Sequence, residues 1–223
     1  MRRAPGALDG GGGTAAGVTF ARMARRWGTA SEGDGESARA GGRPAGRDGD
    51  GPFPDHPELA AGRVFPDLEL ADHGGNQRRL GELIAGDPTF LHFFRGWWCP
   101  KEQAFLRRLV ALQDEAEVAY CRFVSVSVDP PPTNAAFRAG LGARWTFLSD
   151  PDRVAQRRLR LREATDTVND PYVPAAFCLY PDRTIHAAFD GYWFWGRPTN
   201  EEIRQALRRI SGEVRDDWHA PAQ

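Results

Sequence analysis

Between Gly62 and Ile210 short apolar runs alternate with amphipathic stretches, the succession that predicts strands and helices in βα order. Leu68 and Leu70 belong to a first strand, Gly74-Gly75-Asn76 turns the chain, and Leu80 to Ile84 form a short helix. Thr89-Phe90-Leu91-His92-Phe93-Phe94 is almost continuously apolar, as suits a central strand covered on both faces. After Cys99, the residues Phe105, Leu109, Leu112 and Ala116 draw one stripe down a helix, with Pro100 at its first position, where proline is tolerated. Tyr120 to Val128 reads as a second buried strand, ended by Asp129 and three prolines, and a helix follows through Ala135 to Leu141. Trp145 to Leu148 supplies a third strand; Asp150-Pro151 reads as an N-cap and first helical residue before a helix over Val154 to Leu161. Beyond Val173-Pro174, Ala175 to Tyr180 and Thr184 to Phe189 form a hairpin, and Thr199 with Glu202 makes a capping box for a last helix through Ile210.

Residues 1–57 break this pattern. They hold 14 of the 25 glycines and only seven residues among Val, Ile, Leu, Met, Phe and Trp, so they are expected to be a disordered Gly/Ala/Arg-rich extension. Five of the seven tryptophans lie in an expected domain over 58–212, which is followed by a tail over 213–223. The formal net charge of −1 gives no general attraction to nucleic acid or anionic lipid, and no apolar run approaches the ~20 residues of a membrane span. Three cysteines without close pairing fit neither a zinc site nor a disulfide scaffold and point to a reducing cytoplasm, with no metal and no cofactor.

Cys99 carries the candidate chemistry, because it falls between a buried strand and the first turn of an amphipathic helix. There the unpaired backbone N–H groups and the helix dipole favour a thiolate, the nucleophilic form of cysteine. Arg95 is near enough in sequence to assist. By position alone, a buried unreactive cysteine ahead of a helix is equally open.

The ordered set Arg95-Gly96-Trp97-Trp98-Cys99-Pro100-Lys101-Glu102, Val124-Ser125-Val126-Ser127-Val128-Asp129, Leu148-Ser149-Asp150-Pro151-Asp152 and Val173-Pro174 resembles the alkyl hydroperoxide reductase/thiol-specific antioxidant family, the peroxiredoxin-like branch of the thioredoxin fold. The resemblance covers Gly62 to Ile210 and implies an α/β fold, a thioredoxin-like three-layer sandwich around a mixed central sheet. Thioredoxin-type dithiol enzymes carry Trp-Cys-x-x-Cys, and here Glu102 stands at the second cysteine's place; Cys99-Pro100-Lys101-Glu102 instead matches three residues of the peroxiredoxin Cys-Pro-Thr-Glu. Where the family has Pro seven residues and Thr or Ser three residues before the cysteine, this chain has His92 and Gly96. The family's partner arginine is missing from Pro174-Ala175-Ala176, and Arg95 or Arg197 could supply the charge. Pro174 matches the thioredoxin-fold proline whose cis bond sits beside the active cysteine.

The resemblance thus implies a thiol peroxidase that reduces hydrogen peroxide or organic hydroperoxides through Cys99, supported by Arg95, Trp98, Pro100, Glu102 and Pro174 and re-reduced by an external thiol. Cys121 and Cys178, inside expected strands, are core residues or at most resolving cysteines. The aromatic segment Tyr192-Trp193-Phe194-Trp195 needs a cover, within the domain or in a homodimer. A non-catalytic thioredoxin-fold binding protein and a thiol redox sensor acting through Cys99 remain open alternatives.

Overall fold

The apolar run after Pro88 becomes strand β3 (Thr89–Phe93), with all five residues buried. The computed structural model describes Phe53, residues 55–191 and residues 196–215; all belong to one of the chain's two compact units, Ala45–Gln223. The expected extension up to residue 52 and the Tyr192–Trp195 segment lie outside the described residues. Helix α2 (Pro100–Val118) carries the chain from β3 to its parallel neighbour β4 (Arg122–Ser127), and α3 (Pro131–Leu141) carries it on to β5 (Thr146–Ser149). The hairpin of β6 (Ala175–Leu179) and β7 (Ile185–Asp190) adds antiparallel strands beside β3; β1 (Glu69–Asp72) and β2 (Gln77–Arg79) extend the other edge. The resulting sheet of seven strands runs β2-β1-β5-β4-β3-β6-β7.

Side-chain alternation along β3 divides the core. Leu91 and Phe93 face one way, toward α1 (Leu80–Ile84) and α4 (Val154–Leu159), while Phe90 and Phe94 face α2 and α5 (Asn200–Val214). Helices on both faces of a mixed sheet make this the thioredoxin-like three-layer sandwich. His92 shares the face of Phe90 and Phe94, so the one titratable residue of the strand is buried under α2. No helix among the described residues is long and apolar enough to cross a membrane.

Several elements differ from the sequence pattern, each for a local reason. β2 has no apolar signal because Gln77-Arg78-Arg79 pairs only with β1, as an edge strand. α3 begins at Pro131 instead of Ala135, since prolines fit a first turn that has no N–H partners to lose. Asp150 is not the N-cap residue of α4: that place is held by Arg153 in a left-handed conformation. The Asp150 carboxylate nevertheless accepts from the Val154 and Gln156 N–H groups at 2.7 and 2.9 Å, capping the helix from outside. α4 stops at Leu159, two residues early, where Arg160 turns left-handed. The packed unit also reaches back past the expected boundary at 58, because Phe53 is buried and stacks on Phe177 at 5.6 Å. At the other end α5 continues to Val214, into the expected tail.

Candidate active site

β3 ends at the edge of the sheet where the parallel strands also end, the usual place for a site in an open α/β sheet. Phe94 still donates to the Val126 carbonyl at 2.9 Å, and the chain then folds into a turn closed by the Cys99 N–H on the Gly96 carbonyl at 3.2 Å. Cys99 is the N-cap of α2, and its own carbonyl accepts the first helical bond from Gln103 at 3.0 Å. Its sulfur makes no capping hydrogen bond, so the N–H groups of Lys101 and Glu102, which the helix itself leaves without partners, are available at the thiol's end of the helix. The residue is only 2% exposed.

The turn before Cys99 is held from three sides. Trp97 N–H donates to Asp129 Oδ2 at 3.0 Å, and that carboxylate also takes the Ser127 hydroxyl at 3.1 Å; burial pushes the Asp129 carboxyl upward. Gln103 Nε2 donates to the Trp97 carbonyl at 2.8 Å. Arg95 lies over the Trp98 ring at 5.0 Å and is anchored on Asp166 at 2.7 Å. Gly96 has φ +146°, and a Cβ there would stand 2.6 Å from Trp98 Nε1 and 3.1 Å from Asp129 Oδ2. Glycine at 96 therefore reflects occupied space as well as a backbone that L-residues avoid.

Beneath this turn lies a buried ionic cluster. Glu102, fully buried in the first turn of α2, accepts from Arg197 Nη2 through Oε1. Arg197 Nη1 donates to the Gly191 carbonyl at 3.0 Å, so Glu102 ties the Cys99 turn to the chain that follows β7. His92 completes the cluster with Nε2 3.6 Å from Glu102 Oε2, and both its ring nitrogens and that carboxylate oxygen are buried without a hydrogen-bond partner among the described residues. Burial pushes the Glu102 carboxyl up, against the pull of Arg197; burial and the Arg197 charge together hold the His92 imidazole well below its ordinary value of 6.5.

The His92 shift has a measurable sign. A histidine depressed in the folded state contributes stability that is present above pH 6.5 and is lost as pH falls toward its folded value, because the unfolded chain takes up the proton first. Urea unfolding at pH 7 and pH 5.5 should show the stability gap between the parent and His92→Phe shifting against the parent by up to about 1.4 kcal/mol per pH unit. An unchanged gap would contradict a neutral, buried His92.

Of the two arginines considered for the missing charge, the structure brings Arg197 to Glu102, whereas Arg95 is committed to Asp166 and the Trp98 ring. Pro100 opens α2, and Pro174 borders the ionic cluster: its carbonyl accepts from Gly191 at 2.7 Å, and it lines, with His92, Gly191 and Arg197, a gap too small to hold a water molecule. Cys121 precedes Arg122, which pairs with Thr89, and Cys178 pairs with Phe90, so both stand at the opening end of β3 while Cys99 follows its closing end. Roughly 10 Å or more of strand separates them from Cys99, beyond the ~7 Å Cα limit of a disulfide. Both are free and buried, and burial pushes each thiol up, Cys178 strongly. Asp129 and Asp166 carry functions the motif did not reveal. The only hint in the sequence is an Asp at a strand end and an Asp in the long loop before Pro174.

The fold has relatives among solved structures. Peroxidoxin BcpB from Mycobacterium tuberculosis superposes with a TM-score of 0.60 at 20% identity, covering 71% of this chain and 99% of that one. Reduced Prx3 in complex with H2O2 from Vibrio vulnificus gives 0.60 at 21%, covering 67% and 99%. A putative thiol:disulfide interchange protein DsbE from Chlorobium tepidum gives 0.55 at 20%, covering 69% and 99%. No curated protein matches the chain. The model of the AhpC/TSA family matches residues 61–188, more than half of the sequence, and the chain belongs to that family.

Proposed function

We propose that this protein is a thiol-dependent peroxidase with Cys99 as its single peroxidatic cysteine. The observation that carries the reading is Cys99 at the N-cap of α2, its sulfur uncapped and Glu102 in the place of a second cysteine. The Cys99 thiolate attacks the outer peroxide oxygen; the O–O bond breaks, its electron pair leaves with the other oxygen, and that oxygen takes a proton to become water or an alcohol. Cys99 is left as a sulfenic acid. An external thiol condenses with it, releasing water, and a second thiol displaces the mixed disulfide to restore Cys99. The N–H groups of Lys101 and Glu102 are placed to stabilise charge on sulfur and on oxygen beside it. The pairing of Glu102 with Arg197 braces the turn that carries them.

The test is steady-state consumption of hydrogen peroxide and of cumene hydroperoxide with excess thiol. Cys99→Ser should lose turnover while keeping its circular dichroism spectrum, and Cys121→Ser and Cys178→Ser should retain it. Unchanged turnover in Cys99→Ser refutes the assignment. A parent that oxidises once without turnover would favour the redox-sensor alternative.

A further inference from the structure

The ionic cluster contains one more titratable group than a closed ion pair needs. Glu102 and Arg197 neutralise each other, yet His92, 1% exposed, points Nε2 at the second Glu102 oxygen from 3.6 Å, and neither atom has a hydrogen-bond partner among the described residues. Arg197 is not carried on the same framework as the other two. Glu102 sits on α2 and His92 on the central strand, whereas Arg197 arrives from the chain after β7 and is tethered there by the Gly191 carbonyl. Without Arg197 the Glu102 carboxylate would have no countercharge while still inside the core, where an unpaired charge is not tolerated.

We propose that His92 is a positioning residue, a reserve countercharge that takes a proton and holds Glu102, and with it the Cys99 turn, whenever Arg197 withdraws. The surroundings leave these as the groups that govern it. α2 presents Glu102 and the Phe105 ring at 4.7 Å; the end of β3 presents Arg95, whose charge also bears on Glu102. β4 places the uncharged Ser125 opposite His92, and its hydroxyl already accepts the Trp145 indole N–H. β6 places Ala176 opposite, with the buried Cys178 thiol two residues on, and α5 presents Ile203, Ala206 and Leu207 to the same core. With Arg197 in place its charge disfavours a second cation; with Arg197 gone, the Glu102 carboxylate 3.6 Å away is the charge nearest the imidazole and favours a cation there.

Arg197→Gln tests this without relying on peroxide chemistry, because it keeps side-chain volume and hydrogen-bonding capacity and removes only the charge. Histidine labelled with nitrogen-15, with His92→Phe to assign the signal, should show His92 neutral down to pH 5.5 in the parent. In Arg197→Gln it should titrate with a midpoint above 6.5. A raised histidine contributes stability below its unfolded value and loses it as pH rises, so the melting temperature of Arg197→Gln should climb between pH 8 and pH 6. That climb should vanish in Arg197→Gln/His92→Phe and in Arg197→Gln/Glu102→Gln. If Arg197→Gln is unfolded at pH 8, it must regain helical circular dichroism near pH 6. A His92 that stays neutral in Arg197→Gln, a pH response that survives loss of His92, or a variant unfolded across the range overturns the proposal.

Discussion

Glu102→Leu should lower stability by about 3–5 kcal/mol, the range for removing one partner of a buried ion pair. The expected fall in melting temperature is about 10 °C or more for a domain of this size. The cause is not the lost attraction alone. Arg197 is 3% exposed at its side chain, so the substitution leaves a guanidinium in the core with, among the described residues, the Gly191 carbonyl alone to receive it. Adding Arg197→Met should recover most of the loss, since an apolar pair of similar volume often replaces a buried ion pair at little net change. Chemical denaturation of the two single variants and the double variant reads this as a coupling. Equal and additive losses would show that the two side chains do not act as a pair.

The second large effect concerns the residue three positions before the cysteine. By the family signature a hydroxyl belongs there, and Gly96→Thr would seem to restore it. The structure predicts the reverse. The backbone at φ +146° is closed to L-residues, and the new Cβ would fall 2.6 Å from the Trp98 indole nitrogen, in a ring already pinned by Arg95. Strain of about 2 kcal/mol or more is expected. Trp98 must be expelled, which should appear as a red-shifted tryptophan emission together with a loss of Cys99 reactivity toward peroxide. A Gly96→Thr variant of parental stability and raised activity would show that the turn relaxes easily and that position 96 is free.

The strand-and-helix order was legible because the apolar runs at Thr89–Phe94 and Tyr120–Val128 and the stripe Phe105, Leu109, Leu112 and Ala116 each have the period of the element they form. The capping box at Thr199 was legible for the same kind of reason: both its hydrogen bonds are local and form as the residue types require. β2 was not legible, because its stability comes from pairing with β1 and its own residues are polar. Nor was the capping of α4, in which the Asp150 carboxylate also accepts the Tyr172 hydroxyl at 2.6 Å across the core. The same division applies to the site. Cys99, Pro100 and Glu102 stand together in one motif and could be read directly. His92 and Arg197 reach Glu102, and Asp129 reaches Trp97, only after β3, β4 and the segment beyond β7 are assembled. His92 did leave a trace, as a titratable residue inside an otherwise apolar run, but its partner is ten residues away on a different element.

The claim on which the rest depends is that one cysteine reduces peroxide. The direct measurement is the reaction of one equivalent of hydrogen peroxide with the Cys121→Ser/Cys178→Ser variant in the presence of a sulfenic-acid trap, followed by peptide mass spectrometry. The account predicts consumption of the peroxide with a single adduct, on Cys99, and neither consumption nor adduct once Cys99→Ser is added. Peroxide consumed at the parental rate without Cys99, or an adduct in the parent on Cys121 or Cys178 in place of Cys99, would contradict it.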